Sequence, residues 1–178
     1  MNIPNFITMI RIILVPVIVI FLIEGQLLAA LLAFLIAGIG DGLDGFMART
    51  LNQRTSLGAF LDPLADKLLL TTIYIVMAVY HQAPAWLAVM VASRDLLIVS
   101  GLAVLAWNQL FPLMKPTIDS KITTFCQIVT MAYLLGRDVL PYHEWLAHGL
   151  IGLTACLTAI SGIHYIIIGF RIFGNNER

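Results

Sequence analysis

Long apolar segments alternate with short polar segments along almost the whole chain. A membrane-spanning helix needs about 20 mainly apolar residues, and six segments approach that length. The predicted helices cover residues 6–23, 27–40 with a continuation to about Ala48, 58–80, 86–110, 122–135 and 145–170. The intervening segments are rich in glycine, proline and charged residues, which are typical of turns and loops. The pattern predicts an all-α integral membrane protein, with six transmembrane helices in one domain spanning residues 1–178.

Composition agrees with a membrane location. The 178 residues are 60% hydrophobic and 11% charged, with a mean hydropathy of +0.95. Soluble domains are about half apolar and about a quarter charged, so the expected surroundings are a lipid bilayer. The formal net charge is zero, which gives no electrostatic support for a nucleic-acid partner, and none is expected.

The basic residues fall mainly on one side of the predicted bundle. The alternate connections and the C-terminal tail carry Arg49, Arg54, Lys115, Lys121, Arg171 and Arg178. The opposite loops offer only Arg137. Cytoplasmic loops carry an excess of lysine and arginine. We therefore expect a multi-pass protein of the bacterial inner membrane, with both termini and a polar cavity facing the cytoplasm.

Four aspartates lie where the second predicted helix ends and the third begins. Asp41 and Asp44 are three residues apart, and Asp62 and Asp66 are four residues apart, so each pair shares a helix face. A charge at the bilayer centre costs about 2.5 to 3.5 kcal/mol, so these carboxylates are expected to face water and compensating cations. Carboxylates without histidine or cysteine suit magnesium, manganese or calcium. The alternative is a solvated acidic helix end.

Glycines around the aspartates favour a ligand site over a solvated helix end. Each glycine weakens a helix by about 1 kcal/mol relative to alanine, yet Gly38, Gly40, Gly42, Gly45 and Gly58 cluster here. Small residues let a ligand approach the backbone, and tight helix packing is the alternative for Gly38 and Gly40. Arg49 lies one turn beyond Gly45, and its guanidinium suits phosphate oxygens. Metal-binding carboxylates beside such an arginine predict phosphoryl-type transfer at the membrane surface.

The spacing of these residues resembles the signature of the CDP-alcohol phosphatidyltransferases. The pattern is Asp41-x-x-Asp44-Gly45-x-x-Ala48-Arg49, then eight residues, then Gly58-x-x-x-Asp62-x-x-x-Asp66. Every fixed position of the signature is matched. The opening NIPNFITMIRI is also similar to the family's entry into its first helix, and six transmembrane helices are the family's architecture.

The resemblance implies transfer of a phosphatidyl group from CDP-diacylglycerol to an alcohol, with release of CMP. Two divalent ions, Mg²⁺ or Mn²⁺, would be bound around the pyrophosphate by Asp41, Asp44, Asp62 and Asp66. Asp66 would also take the proton of the acceptor hydroxyl. The nucleotide and its phosphates would be contacted, or given room, by Asn5, Thr8, Gly45, Ala48, Arg49, Thr55 and Gly58. The alternative for Asn5 is an N-cap after Pro4, and a homodimer is consistent with the resemblance.

Two later stretches bear on the acceptor alcohol, ASRDLLIVSG at 92–101 and KPTIDSKITTFCQ at 115–127. Both resemble the family's glycerol-lipid subgroup, which contains cardiolipin synthases and phosphatidylglycerophosphate synthases. The stretches look closer to the cardiolipin synthases, whose acceptor is phosphatidylglycerol, and glycerol 3-phosphate is the alternative acceptor. The predicted acceptor contacts are Arg94, Lys115 and Lys121. A buried ion pair between Arg94 and Asp95 and a lipid-headgroup anchor at Lys115 are the alternatives.

A divalent-cation transporter is the rival function from another class. Transport needs a polar path through the bilayer. Beyond the aspartates, the third predicted helix offers only the hydroxyls of Thr71, Thr72 and Tyr74. Arg49 and Lys67 would also repel a passing cation. The sequence therefore favours the enzyme.

The histidines are weak candidates for metal ligands. His81, His143 and His148 lie near loops on the side opposite the aspartates and are expected to be solvated. His164 lies inside the sixth predicted helix and is expected to be a hydrogen-bonded packing residue.

Overall fold

The computed structural model of the chain describes the backbone of residues 3–50, 56–107 and 117–176, and the side chains of residues 9–40, 67–101, 104, 117–169 and 171. Within those residues the chain forms six α-helices and one 3-10 turn, and no strand. The helices are α1 (Ile3–Ile23), α2 (Leu27–Thr50), α3 (Ser56–Val79), α4 (Ala85–Trp107), α5 (Ile118–Leu135) and α6 (Glu144–Asn176), and the 3-10 turn is Gly136–Asp138. The all-α prediction is therefore confirmed.

The tight turns lie where glycine and proline predicted them. Gly25, between α1 and α2, has a φ of +72°, a left-handed conformation that glycine adopts without steric strain. Pro84 directly precedes α4, and the residue before a proline disfavours helix. His81, in the same turn, also has a positive φ of 56°. These two turns return the chain after α1 and after α3.

The largest differences from the predicted helix boundaries are at the start of α5 and the end of α6, where polar residues belong to the helices. Helix α5 begins at Ile118, four positions before the predicted start, since the Thr117 side chain caps it by accepting from the Ser120 N–H at 3.3 Å. Helix α6 continues to Asn176, so the predicted polar tail from Gly174 is partly helical. Hydrophobic periodicity marks only the apolar part of a helix and misses polar turns at its ends.

Helix packing places α1 against both α2 and α3, α4 between α3 and α6, and α5 against α6 and α2. A buried apolar cluster fills the interior and includes Ile18, Leu22, Phe34, Ile73, Met77 and Leu87. Large apolar side chains also cover the outside, among them Ile13, Ile36, Val79, Val89, Leu96 and Ile163. An extensive apolar exterior is typical of a surface that contacts lipid.

One helical segment in the described part of the chain, Glu144–Gly169, is long and apolar enough to cross a membrane. Its mean hydropathy is 1.8, and 28% of it is buried inside the protein. Shorter apolar helical stretches are Met9–Ile23, Leu27–Gly40 and Lys67–Val79. Six helices are confirmed in the described part of the chain, and a membrane span for each of them stays a prediction.

Candidate active site

The motif aspartates lie on two helices that follow one another in the chain. Asp41 and Asp44 belong to the C-terminal half of α2, and Asp62 and Asp66 belong to the N-terminal half of α3. The predicted helical placement is therefore observed. Their side chains lie outside the described residues, so their convergence on metal ions stays a prediction. No cluster of three potential metal ligands occurs among the side chains that are described.

The predicted nucleotide residues come from the ends of three helices. Asn5 and Thr8 lie in the first turns of α1, and Gly58 lies in the first turn of α3. The α2 end carries Gly45, Ala48 and Arg49. Thr55 lies outside the described residues, as do the side chains of the others. Because a short turn joins α1 to α2 and the two helices pack together, the α1 start and the α2 end share one end of the bundle.

Lys67 directly follows Asp66 on α3 and has a described side chain. Its ammonium nitrogen is buried and lies 4.0 Å from Oδ1 of Asp95 on α4. That distance is too long for a hydrogen bond. Among the described residues, the Lys67 ammonium has no hydrogen-bond partner. A buried ammonium without hydrogen bonds is costly, which marks Lys67 as an unusual group.

Arg94 and Asp95 form a buried ion pair on α4. Nη1 of Arg94 donates to Oδ1 of Asp95 at 2.7 Å, and the two side chains are 3% and 8% exposed. Oδ2 of Asp95 accepts from the Thr71 hydroxyl of α3 at 3.3 Å. The buried ion pair that the sequence left as an alternative is therefore present. A direct contact between Arg94 and an acceptor stays a prediction.

The remaining Arg94 donors hold α5 and α6 in place. Nη2 donates to the Ser120 hydroxyl at 2.6 Å and to the Ser161 hydroxyl at 3.0 Å. Nε donates to the same Ser161 hydroxyl at 3.3 Å. Every guanidinium nitrogen therefore has a protein partner. We call Lys67, Arg94 and Asp95 the cationic cluster, and through Thr71, Ser120 and Ser161 it joins helices α3 to α6.

Other polar groups near the start of α5 are described in part. Lys121, a predicted acceptor contact, is exposed and follows Ser120. Lys115 lies outside the described residues. Asp119 pairs with Nδ1 of His164 on α6, which confirms the hydrogen-bonded role expected of this histidine. The other three histidines, His81, His143 and His148, are exposed as expected.

Hydrogen bonds continue along the contact between α5 and α6. The Thr123 hydroxyl lies 3.1 Å from the Leu157 carbonyl of α6 and 2.8 Å from the Asp119 carbonyl of its own helix, and these two acceptors share its single proton. Nε2 of Gln127 donates to the Thr158 hydroxyl at 3.2 Å. The hydroxyls of Thr130 and Thr154 are 2.7 Å apart. Such bonds between helices in an apolar environment fix their register, so α5 is held firmly where it carries Ser120.

Sequence reasoning missed the polar groups that tertiary packing brings together. In the sequence, Lys67 is only a positive charge that would repel a passing cation, and Ser120 and Ser161 give no signal because serine is common in packed helices. Arg11 is 2% exposed within the apolar α1. A single ionisable residue within an otherwise uncharged apolar helix is a functional signal in membrane proteins, so Arg11 could have been identified from the sequence.

Comparisons with known proteins agree with the motif. A family model described as CDP-alcohol phosphatidyltransferase matches residues 1–161. The human cardiolipin synthase (CMP-forming) is 34% identical over 185 residues, which cover 94% of this chain and 62% of the human protein. The chain thus spans less than two thirds of that relative.

Two bacterial relatives are named as a different enzyme from the human relative. The CDP-diacylglycerol–glycerol-3-phosphate 3-phosphatidyltransferase of Haemophilus influenzae is 37% identical over 174 residues, covering 93% of this chain and 91% of that protein. The Bacillus subtilis protein of the same name is 36% identical over 156 residues, covering 79% of each chain. With most of its length matched by the family model, this chain belongs to the CDP-alcohol phosphatidyltransferase family.

Proposed function

We propose that the chain transfers a phosphatidyl group from CDP-diacylglycerol to a glycerol-type alcohol, releasing CMP, in the synthesis of anionic phospholipids. The observation that carries this proposal is the family match over residues 1–161 together with a complete motif on α2 and α3. In the reaction, the acceptor oxygen bonds to the phosphorus of the phosphatidyl group. The bond from that phosphorus to the CMP oxygen breaks, and the hydroxyl proton leaves to a base.

Phosphatidylglycerol is the proposed acceptor, which makes cardiolipin the product. The stretches at 92–101 and 115–127 support it, as does the similarity to the human cardiolipin synthase. Glycerol 3-phosphate is the second candidate, because the bacterial relatives are named for that acceptor. The acceptor binds beside α4 and α5, the region of Arg94, Lys115 and Lys121.

The donor set fits a divalent metal. Four carboxylates supply hard oxygen ligands, which magnesium and manganese prefer, and the family generally uses divalent metal ions. The proposal includes two ions, Mg²⁺ or Mn²⁺, which would be bound by Asp41, Asp44, Asp62 and Asp66. When bound, such ions would offset the negative charge of the pyrophosphate and of the departing CMP.

The chain's own residues bind and orient the substrates. Asp66 accepts the proton of the acceptor hydroxyl, a role that needs a base within hydrogen-bond reach. Arg49 donates a fork of hydrogen bonds to phosphate oxygens. Gly45, Ala48 and Gly58 leave room for the nucleotide, whose polar groups are contacted by Asn5, Thr8 and Thr55.

The proposed location is the bacterial inner membrane, with six spans and with both termini and the active site on the cytoplasmic side. The apolar exterior of the helices and the span Glu144–Gly169 support this. Acyl chains would stay in lipid while the headgroups enter the polar end of the bundle. A homodimer stays a prediction from the family resemblance.

A divalent-cation transporter finds little support in the described part of α3. After Thr71, the buried side chains of that helix are those of Ile73, Tyr74 and Met77. The Tyr74 hydroxyl donates to the Gln127 carbonyl at 3.0 Å, so it is already used by the protein. No described carboxylate follows Asp66 along this helix.

The test uses protein purified in detergent, with CDP-diacylglycerol and Mg²⁺ in every reaction. Phosphatidylglycerol, glycerol 3-phosphate and serine are added as acceptors in separate reactions. Mass spectrometry identifies the lipid product, and chromatography measures CMP. We expect cardiolipin from phosphatidylglycerol. Phosphatidylglycerophosphate from glycerol 3-phosphate alone would establish the second acceptor, and an absence of CMP in every reaction would refute the function.

A further inference from the structure

The two buried cations of the cationic cluster differ in their hydrogen bonding. Arg94 donates from all three of its nitrogens to Asp95, Ser120 and Ser161. Lys67 has a buried ammonium with no hydrogen-bond partner among the described residues. Arg94 is therefore committed to the protein, whereas the Lys67 ammonium keeps its donors for a ligand.

Charge in the cluster is also unbalanced. Asp95 is one carboxylate beside two cations, with Arg94 at 2.7 Å and Lys67 at 4.0 Å. The other described carboxylate near Ser120, Asp119, is paired with His164. Among the described side chains one positive charge is therefore left over, and a buried charge needs a partner and hydrogen bonds. An incoming oxyanion supplies both.

Position along α3 indicates which oxyanion this is. Lys67 follows Asp66, the proposed base, and contacts Asp95 on α4, on the side of the helix bundle that continues to α5 and α6. The donor's phosphates belong to the metal-binding carboxylates in the proposed function. Both candidate acceptors carry a phosphate joined through glycerol carbons to the reacting hydroxyl. On the proposed function, we expect one acceptor molecule to place its hydroxyl at Asp66 and its phosphate at Lys67, which are consecutive residues of α3.

We propose that Lys67 binds the phosphate oxyanion of the acceptor and that Asp95 and Arg94 position it. This inference rests on the proposed transfer to a phosphate-bearing glycerol acceptor. It assigns Arg94 a positioning role and makes Lys67 the residue that contacts the phosphate. Asp95 holds the ammonium within 4.0 Å without using its hydrogen bonds, which keeps the lysine ready for the phosphate.

The test measures binding of the phosphate without turnover. Purified protein in detergent is titrated calorimetrically with dioctanoyl phosphatidylglycerol and, separately, with glycerol 3-phosphate, in the absence of CDP-diacylglycerol. Lys67→Met is expected to weaken binding about tenfold to a hundredfold, the effect of one charged hydrogen bond. Lys67→Arg keeps the charge and is expected to retain most of the affinity.

Two controls distinguish a loss of ligand binding from a loss of the folded structure. Arg137→Gln removes one positive charge from an exposed position and should bind both ligands as the natural chain does. Binding of CDP with Mg²⁺ should be unchanged in Lys67→Met, which shows that the donor side is folded. Lys67→Gln is a second neutral variant in case the methionine perturbs packing.

The outcomes distinguish a lipid phosphate from a free phosphate ester, and this inference from the proposed transferase activity. A loss confined to phosphatidylglycerol identifies a lipid headgroup, and a loss confined to glycerol 3-phosphate identifies a free phosphomonoester; either supports the inference. Equal affinity of the natural chain and the neutral variants would overturn it, as would a natural chain that binds CDP but neither phosphate ligand. Failure of the transferase proposal has a different signature, no CMP release despite Lys67-dependent phosphate binding.

Discussion

Two regions meet on α3, where Asp66 is followed by Lys67. One is the acidic segment, residues 41–66, and the other is the cationic cluster of Lys67, Arg94 and Asp95. They are built differently. The acidic segment takes its four aspartates from the C-terminal half of α2 and the N-terminal half of α3, which follow one another in the chain. The cationic cluster depends on serines as distant in sequence as Ser161. The proposed metal site thus comes from local spacing, whereas the group proposed to bind the acceptor comes from tertiary packing.

This difference predicts two separate kinds of failure. Changes in the acidic segment should stop the reaction whatever the acceptor, because they act on the donor and on the base. Changes in the cationic cluster should alter acceptor binding or the packing of α3 to α6 while leaving the nucleotide site intact.

Asp66→Asn is expected to produce the largest loss of activity. The amide cannot take the acceptor proton, and general base catalysis contributes about 10² to 10⁴ in rate. CMP release from CDP-diacylglycerol with phosphatidylglycerol measures the effect. The matched control is Asp138→Asn, whose carboxylate is 60% exposed in the 3-10 turn and whose loss should leave the rate unchanged. Near-natural turnover in Asp66→Asn would remove this residue as the base.

Asp95→Asn is expected to damage the structure rather than the chemistry. It leaves Arg94 buried without its counterion, and removing one partner of a buried pair costs about 3 to 5 kcal/mol. Thermal unfolding in detergent should show a lowered midpoint, with Asp138→Asn as the control. An unchanged midpoint would mean that the cationic cluster does not join the helices as the hydrogen bonds indicate.

The hydroxyl pair of Thr130 and Thr154 should give the smallest effect. A double-mutant cycle with Thr130→Val and Thr154→Val is expected to show a coupling of about 0.6 kcal/mol, typical of hydrogen bonds between membrane helices. The control is Ser100→Ala, since that hydroxyl donates within its own helix to the Leu97 carbonyl. Zero coupling would show that the contact of α5 with α6 depends on shape alone.

Hydrophobic runs predicted the six helices because apolar side chains continue along each helix, some buried in the core and others on the outer surface. The four aspartates could be assigned to helix ends from spacing alone, and α2 and α3 contain them as expected. The start of α5 was misplaced, because the Thr117 cap and the polar first turn have no hydrophobic periodicity. Helix ends of this kind depend on side-chain hydrogen bonds rather than on apolar patterning.

The cationic cluster could be predicted only in part. Arg94 and Asp95 are adjacent in the sequence, so their ion pair was one of two interpretations. Their partners Ser120 and Ser161 lie on other helices, and a single sequence contains no information on that distance. The role proposed for Lys67 depends on which donors Arg94 uses within the protein, and only the packed structure shows those contacts.

The central claim is that the acidic segment binds divalent metal for phosphatidyl transfer, and metal dependence of CMP release tests it most directly. Purified protein is stripped with chelator, dialysed, and assayed with CDP-diacylglycerol and phosphatidylglycerol at increasing Mg²⁺ or Mn²⁺. We predict no CMP without metal and restored release when either ion is added. Undiminished CMP release in excess chelator would contradict the account.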